Sequence, residues 1–214
     1  MEINREKKKI LLLSSSRFLI DNPQVFEKPF KDLKIAYIIT ASKSVPSTAY
    51  LERHRQFFKE QKYNIQEFDL DGKNEDELRN FLKDFEAVYM EGGNSFYLLK
   101  SIRESGFDKV VKELIPKGLI YIGASAGSYV ACPTIEMALW KHQDKYDHHG
   151  ITDYTAMNLV PFLMSVHYKP EYNDLLKDKI SKARYPVKIL DDDQAILIEG
   201  DTIKLIGKEE EIKL

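Results

Sequence analysis

The chain has 214 residues, 43% of them hydrophobic and 31% charged, with 34 acidic and 32 basic side chains and a formal net charge of −2. That apolar fraction excludes a disordered chain, and 10 glycines with 8 prolines are too few for a low-complexity or collagenous one. The balanced charge leaves no electrostatic footprint for nucleic acid or an anionic membrane.

A single cysteine, Cys132, excludes an intramolecular disulfide framework and a cysteine-based zinc site, and it predicts a cytoplasmic, reducing setting. Lys7, Lys8 and Lys9 precede an apolar run of only four residues, Ile10 to Leu13. A secretion signal needs about 7–15 apolar residues and a membrane span about 18 or more, so this run is read as a first buried strand.

Residues 9–16 (KILLLSSS) and 34–40 (KIAYIIT) are nearly continuous apolar runs, as expected of strands covered on both faces. Between them, residues 18–33 are poorly periodic and interrupted by Pro23 and Pro29, so only part of the segment is predicted helical. Residues 50–61 read as an amphipathic helix, 64–70 as a strand, and 75–85 as a helix capped by Asn74.

A fourth strand at 87–90 runs into Glu91-Gly92-Gly93-Asn94, followed by helices at 95–104 and 107–114 that stop at Pro116 and Gly118. A fifth strand at 119–123 (LIYIG) enters Ala124-Ser125-Ala126-Gly127, and a short helix is expected over 126–131. Repeated strand–helix–strand units predict a doubly wound, mostly parallel α/β sheet with helices on both faces. Beyond Pro133, residues 136–154 read as a polar, irregular excursion carrying three of the five histidines. Residues 162–168 form an apolar run with His167 near its end, 172–182 suit a helix, and 187–190, 195–199 and 202–206 end the chain with a hairpin about Gly200-Asp201. No repeat or linker divides the sequence, and one domain over 1–214 is expected.

Gly123-Ala124-Ser125-Ala126-Gly127 fits the G-x-S-x-G pattern of a nucleophile elbow. Such a turn thrusts a serine oxygen above the sheet from a strained backbone, and small neighbours let the chain bend. The pattern alone is weak; its place between a buried-strand run and a helix supplies the context that chemistry needs. Gly92-Gly93-Asn94 is a second glycine-rich turn at the carboxyl edge of the sheet. Its backbone N–H groups suit an oxyanion, or simply a βα loop with Asn94 as helix cap. No Walker lysine follows it, so a phosphate cradle is not expected.

A serine needs a base. His54 lies among charged residues and is expected on the solvated surface. His142, His148 and His149, with Asp144 and Asp147, match no specific metal-ligand spacing. His167 ends an apolar run and would stand at the sheet rim, as a base or as a satisfied core histidine. Asp191, Asp192 and Asp193 follow the VKIL run and offer a carboxylate to hold an imidazole, or a solvated turn.

Together, ILLLSSS, VYMEGGNSFYLLK, LIYIGASAGSYVACPTI, the histidine after an apolar run, and LDDDQAILIEGD resemble the dipeptidase E and cyanophycinase family of serine peptidases over about residues 9–206. The resemblance implies a flavodoxin-like sandwich related to class I glutamine amidotransferases, with its nucleophile, base and acid in that chain order. It implies Ser125 as nucleophile, His167 as general base and Asp192 as acid, with the Gly93 and Ala126 N–H groups as oxyanion donors. The family's acid is often glutamate; here it is one methylene shorter, and Asp191 or Asp193 are alternatives. Members preferring an amino-terminal aspartate carry an arginine beyond the histidine, whereas YKPEYNDLLKDK has none and Lys169 is the nearest cation.

The expected activity is hydrolysis of short peptides through an acyl-enzyme, without cofactor or metal. The alternatives are hydrolysis of esters or of branched isoaspartyl peptides, or a non-catalytic ligand-binding relative.

Overall fold

The computed structural model describes residues 8–141, 147–207 and 210–214. In chain order, β1 (Lys9–Leu13) leads to α1 (Arg17–Asp21), β2 (Ile35–Ile38), α2 (Ala49–Glu60), β3 (Ile65–Phe68), α3 (Glu75–Leu82) and β4 (Ala87–Met90). Then come α4 (Ser95–Ser105), α5 (Phe107–Leu114), β5 (Ile120–Ala124) and α6 (Ala126–Ala131). The remainder holds β6 (Leu163–Ser165), α7 (Asn173–Lys182), β7 (Val187–Ile189), β8 (Gln194–Glu199) and β9 (Thr202–Gly207).

The main sheet has seven strands in the order β3-β2-β4-β5-β1-β8-β9. The first five are parallel, and β8 and β9 run antiparallel beside β1. This is the mostly parallel α/β architecture expected from the order of elements.

The central strands are buried because both faces are covered. Strand side chains alternate between faces. Ile10, Leu12, Ile38, Val88, Met90 and Tyr121 pack into one apolar cluster. Leu11, Leu13, Tyr37, Tyr89, Ile122 and Ala124 pack into the other. Each fully buried Leu, Ile or Val contributes about 1.5–3 kcal/mol, so four consecutive leucine-class residues in β1 anchor the sheet.

Helix starts follow local chemistry. Asn74 and Glu77 form a reciprocal capping box on α3, and the Asn94 side chain accepts from Phe96 and Tyr97 N–H at the start of α4.

The late strands find partners that the local pattern had left open. The run 162–168 keeps only three strand residues, and β6 pairs in parallel with β7 as a separate two-stranded ribbon instead of joining the main sheet. The hairpin β8–β9 takes the place beside β1. The apolar content of both segments is equal to the task of a core strand; partner choice depends on register and reach, which local composition does not encode. Residues 18–33 hold one short helix and a 3-10 turn at Phe30–Asp32, in keeping with the two prolines.

Candidate active site

Three strand ends converge at the carboxyl edge of the parallel sheet, where open α/β folds place ligands. Ser14 follows β1, the Glu91-Gly92-Gly93 turn follows β4, and Ser125 follows β5.

Ser125 has φ 50° and ψ −107°, an uncommon conformation for a residue with a side chain, with a cost of about 1–3 kcal/mol. The surroundings hold it there. Ser125 N–H donates to Leu13 O at 3.1 Å, and the Ser128 hydroxyl bridges Leu13 O and Gly123 O at 2.8 and 2.7 Å. Gly127 packs against β4 so closely that a Cβ there would lie 2.2 Å from Met90 O. A glycine is therefore obligatory at the second Gly of the elbow.

Ser125 Oγ lies 2.9 Å from His167 Nε2, and His167 Nδ1 lies 2.6 Å from Asp192 Oδ1. An ionised carboxylate only accepts, so Nδ1–H donates to Asp192 and Nε2 is left to accept the serine proton. Hydrogen bonding from His167 holds the Asp192 carboxyl below its ordinary range against the opposing effect of burial, with smaller help from Ser14 and Lys141. Within the turn, an Asp191 carboxylate oxygen accepts Asp193 N–H at 2.9 Å.

Sequence reasoning missed Ser14. It is fully buried, donates to Asp192 Oδ1 at 2.8 Å and accepts His167 N–H at 2.7 Å. His167 has φ 53°, so this contact also restrains a strained backbone. The only sequence signal was its position, the first polar residue after a buried strand.

The Gly93 and Ala126 N–H groups donate to no protein acceptor among the described residues. Ala126 opens α6, where a helical N–H has no partner within the helix. Gly93 has φ 146°, and a Cβ there would lie 2.3 Å from Ala41 O. Only glycine fits such a turn.

The other histidines distribute differently from expectation. His54 is not on the solvated surface: its side chain is 15% exposed and Nδ1 lies 2.9 Å from Glu91 Oε2. The charged neighbours of His54 in sequence hide that α2 turns this one position inward. Glu91 is buried, and its carboxylate also accepts from Ser16, Tyr37 and Gly92 N–H. Burial would raise its pKa, but these donors, His54 foremost, hold it below the ordinary value. His148 stacks on Phe96 and His149 Nε2 meets Ser44 Oγ at 2.6 Å. His142 and Asp144 lie outside the described residues; among those described, no three His, Cys, Asp or Glu side chains are grouped to hold a metal ion. Cys132 is buried, and desolvation pushes its thiol pKa up.

A cleft of about 990 Å³ opens in front of Ser125 and His167. Its walls include Arg17, Tyr50, Arg53, Lys141 and Lys169, and Glu91 is its only lining carboxylate among the described residues. Lys141 Nζ donates to Val166 O, and burial brings its pKa down to about 8 despite the attraction of Asp192. No helix among the described residues is long and apolar enough to cross a membrane.

Comparisons with known proteins point to peptidases. An uncharacterized peptidase of Pasteurella multocida is 32% identical over 200 residues, covering 91% of this chain and 95% of the relative. Peptidase E of Nostoc sp. is 29% identical over 184 residues, covering 81% of this chain and 72% of that protein. The crystal structure of a Listeria monocytogenes protein provisionally assigned as a Peptidase E superposes with a TM-score of 0.79 at 26% identity, covering 94% of this chain and 98% of that one. Residues 10–206 match Peptidase family S51, and with a serine on a strained elbow at the edge of the same fold, this chain belongs to that family of serine peptidases.

Proposed function

We propose that this peptidase hydrolyses short peptides by a Ser125–His167–Asp192 acyl-enzyme mechanism, working as one domain over residues 1–214 in the cytoplasm. The reading rests on one observation above the others: a hydroxyl on a strained turn, an imidazole and a carboxylate in hydrogen-bonded series at 2.9 and 2.6 Å.

His167 Nε2 takes the Ser125 proton as Oγ attacks the scissile carbonyl carbon. The C=O π pair moves onto oxygen, and the tetrahedral oxyanion accepts from Gly93 and Ala126 N–H. An oxyanion donor of this kind contributes about 2.7–4 kcal/mol. Collapse breaks the C–N bond, and His167 gives its proton to the leaving amine. Water then attacks the acyl-serine, His167 again taking and returning a proton, and the acid product leaves. Asp192 holds the imidazole tautomer throughout and stabilises the imidazolium.

Short substrates suit the cleft because a dipeptide always carries its terminal carboxylate close to the scissile bond. Arg17, Arg53, Lys141 and Lys169 give the lining a cationic character that matches such a group.

The test is a panel of dipeptides and aminoacyl p-nitroanilides, assayed with the wild type and Ser125→Ala. Turnover by the wild type and a loss of about 1,000-fold or more in Ser125→Ala are expected. Peptide hydrolysis that survives the substitution undiminished overturns the mechanism.

A further inference from the structure

Gly92 and Gly93 share a peptide group that is held through its carbonyl. Its carbonyl, Gly92 O, accepts the Tyr50 hydroxyl at 2.9 Å. Its N–H belongs to Gly93. A trans peptide is planar, so its carbonyl and N–H point in opposite directions, and whatever fixes one aims the other. No cis peptide occurs among the described residues.

We propose that Tyr50 is a positioning residue of the oxyanion site, whose hydroxyl keeps the Gly93 N–H turned toward the position of the developing negative charge by holding the Gly92 carbonyl. The inference rests on the Ser125 peptidase reading above.

Several observations make such a hold necessary. A peptide joining two glycines has no side chain to resist rotation of its plane, and Gly93 sits at φ 146°. A rotated plane would present a carbonyl oxygen to the oxyanion, an acceptor facing a negative charge. The flanking atoms are pinned as well: Gly92 N–H donates to Glu91 Oε1 at 2.7 Å, and Asn94 N–H to Ala41 O at 3.0 Å. Those two bonds fix the ends of the turn, whereas Tyr50 grips the peptide that carries the donor.

The grip is backed by a rigid element. Tyr50 and His54 are four residues apart on α2 and so share a face. Their rings meet edge to face with centroids 5.9 Å apart, and His54 Nδ1 reaches Glu91 Oε2 at 2.9 Å. One helix thereby holds both the carbonyl of Gly92 and the carboxylate that holds its N–H. The Glu91 carboxylate accepts four hydrogen bonds, from Ser16, Gly92, Tyr37 and His54, which fills the roughly four acceptor sites a carboxylate has. It is occupied in bracing the turn and has no capacity left for a substrate amine. A hydrogen bond to a peptide carbonyl also polarises the group and strengthens its N–H as a donor.

Tyr50→Phe removes the hydroxyl and leaves the ring. Because the donor is loosened and not deleted, kcat is expected to fall about 5- to 20-fold, less than the 100- to 1,000-fold that follows outright removal of an oxyanion donor. KM should stay within about twofold, since the uncharged ground-state carbonyl gains little from the donor. A peptidyl aldehyde, which forms a tetrahedral adduct with Ser125, should lose affinity by the same factor as kcat, while a product-like peptide acid binds as before. Turnover is expressed per serine titrated with a fluorophosphonate, so that a misfolded fraction does not count. An unchanged kcat overturns the inference, and so does a raised KM with kcat intact, which makes Tyr50 a substrate contact. Ser125→Ala runs in the same assay: if the wild type shows no Ser125-dependent hydrolysis, the peptidase reading itself falls and the inference with it.

Discussion

Ser14 makes the sharpest demand on the proposed site. Its hydroxyl touches both the acid and the base of the proposed triad, donating to Asp192 Oδ1 at 2.8 Å and accepting the His167 backbone N–H at 2.7 Å. Ser14→Ala removes a single oxygen from a fully buried position and creates no clash. The His167 N–H then lacks its acceptor, a loss of about 1–3 kcal/mol where water cannot enter. The Asp192 carboxylate side chain is 50% exposed, so water replaces its lost donor and the added cost there is about 0.5–1 kcal/mol.

A total of about 1.5–4 kcal/mol corresponds to a fall in Tm of about 3–16 °C for a chain of this size. The imidazole, held at φ 53° by that same contact, is freed to swing, and kcat should fall about 10- to 100-fold. Urea unfolding and steady-state hydrolysis measure the two effects separately. A double-mutant cycle with Asp192→Asn tests the route: if Ser14 acts through the carboxylate and imidazole, the two losses couple by about 1 kcal/mol or more instead of adding. A Ser14→Ala enzyme within twofold of the wild type in kcat/KM and within about 0.5 kcal/mol in stability would refute the reasoning.

Two further outcomes follow from the same geometry. Asp192→Asn should lower kcat about 1,000-fold or more by inverting the preferred imidazole tautomer, while Asp191→Asn and Asp193→Asn each change it less than about threefold; equal effects from all three would show that the loop's charge, and not one aimed carboxylate, matters. Lys141, with a pKa brought down to about 8 from 10.5 by burial, binds its proton more weakly folded than unfolded. The unfolded chain therefore holds the extra proton between those values, and folding stability rises with pH there by at most about 1.4 kcal/mol per unit. Unfolding free energies of the wild type minus Lys141→Met should climb from pH 8 to pH 10 and stay flat from pH 6 to pH 7.5; a flat difference throughout would place Lys141 in solvent.

Local composition and spacing were enough to determine the alternation of strands and helices, the buried runs of β1, β2, β4 and β5, the caps at Asn74 and Asn94, and the position of the elbow. Those features depend on near neighbours in the chain: side-chain periodicity, backbone freedom at glycine, and orphan N–H groups at helix starts. The separate β6–β7 ribbon, the inward turn of His54 and the selection of Asp192 from three adjacent aspartates were decided by tertiary structure alone. So was the recruitment of Ser14, of Glu91 and of the Tyr50 hydroxyl. Each of these depends on atoms 23 to more than 150 residues apart meeting within 3 Å, and a sequence window carries no record of which distant surface will be its neighbour.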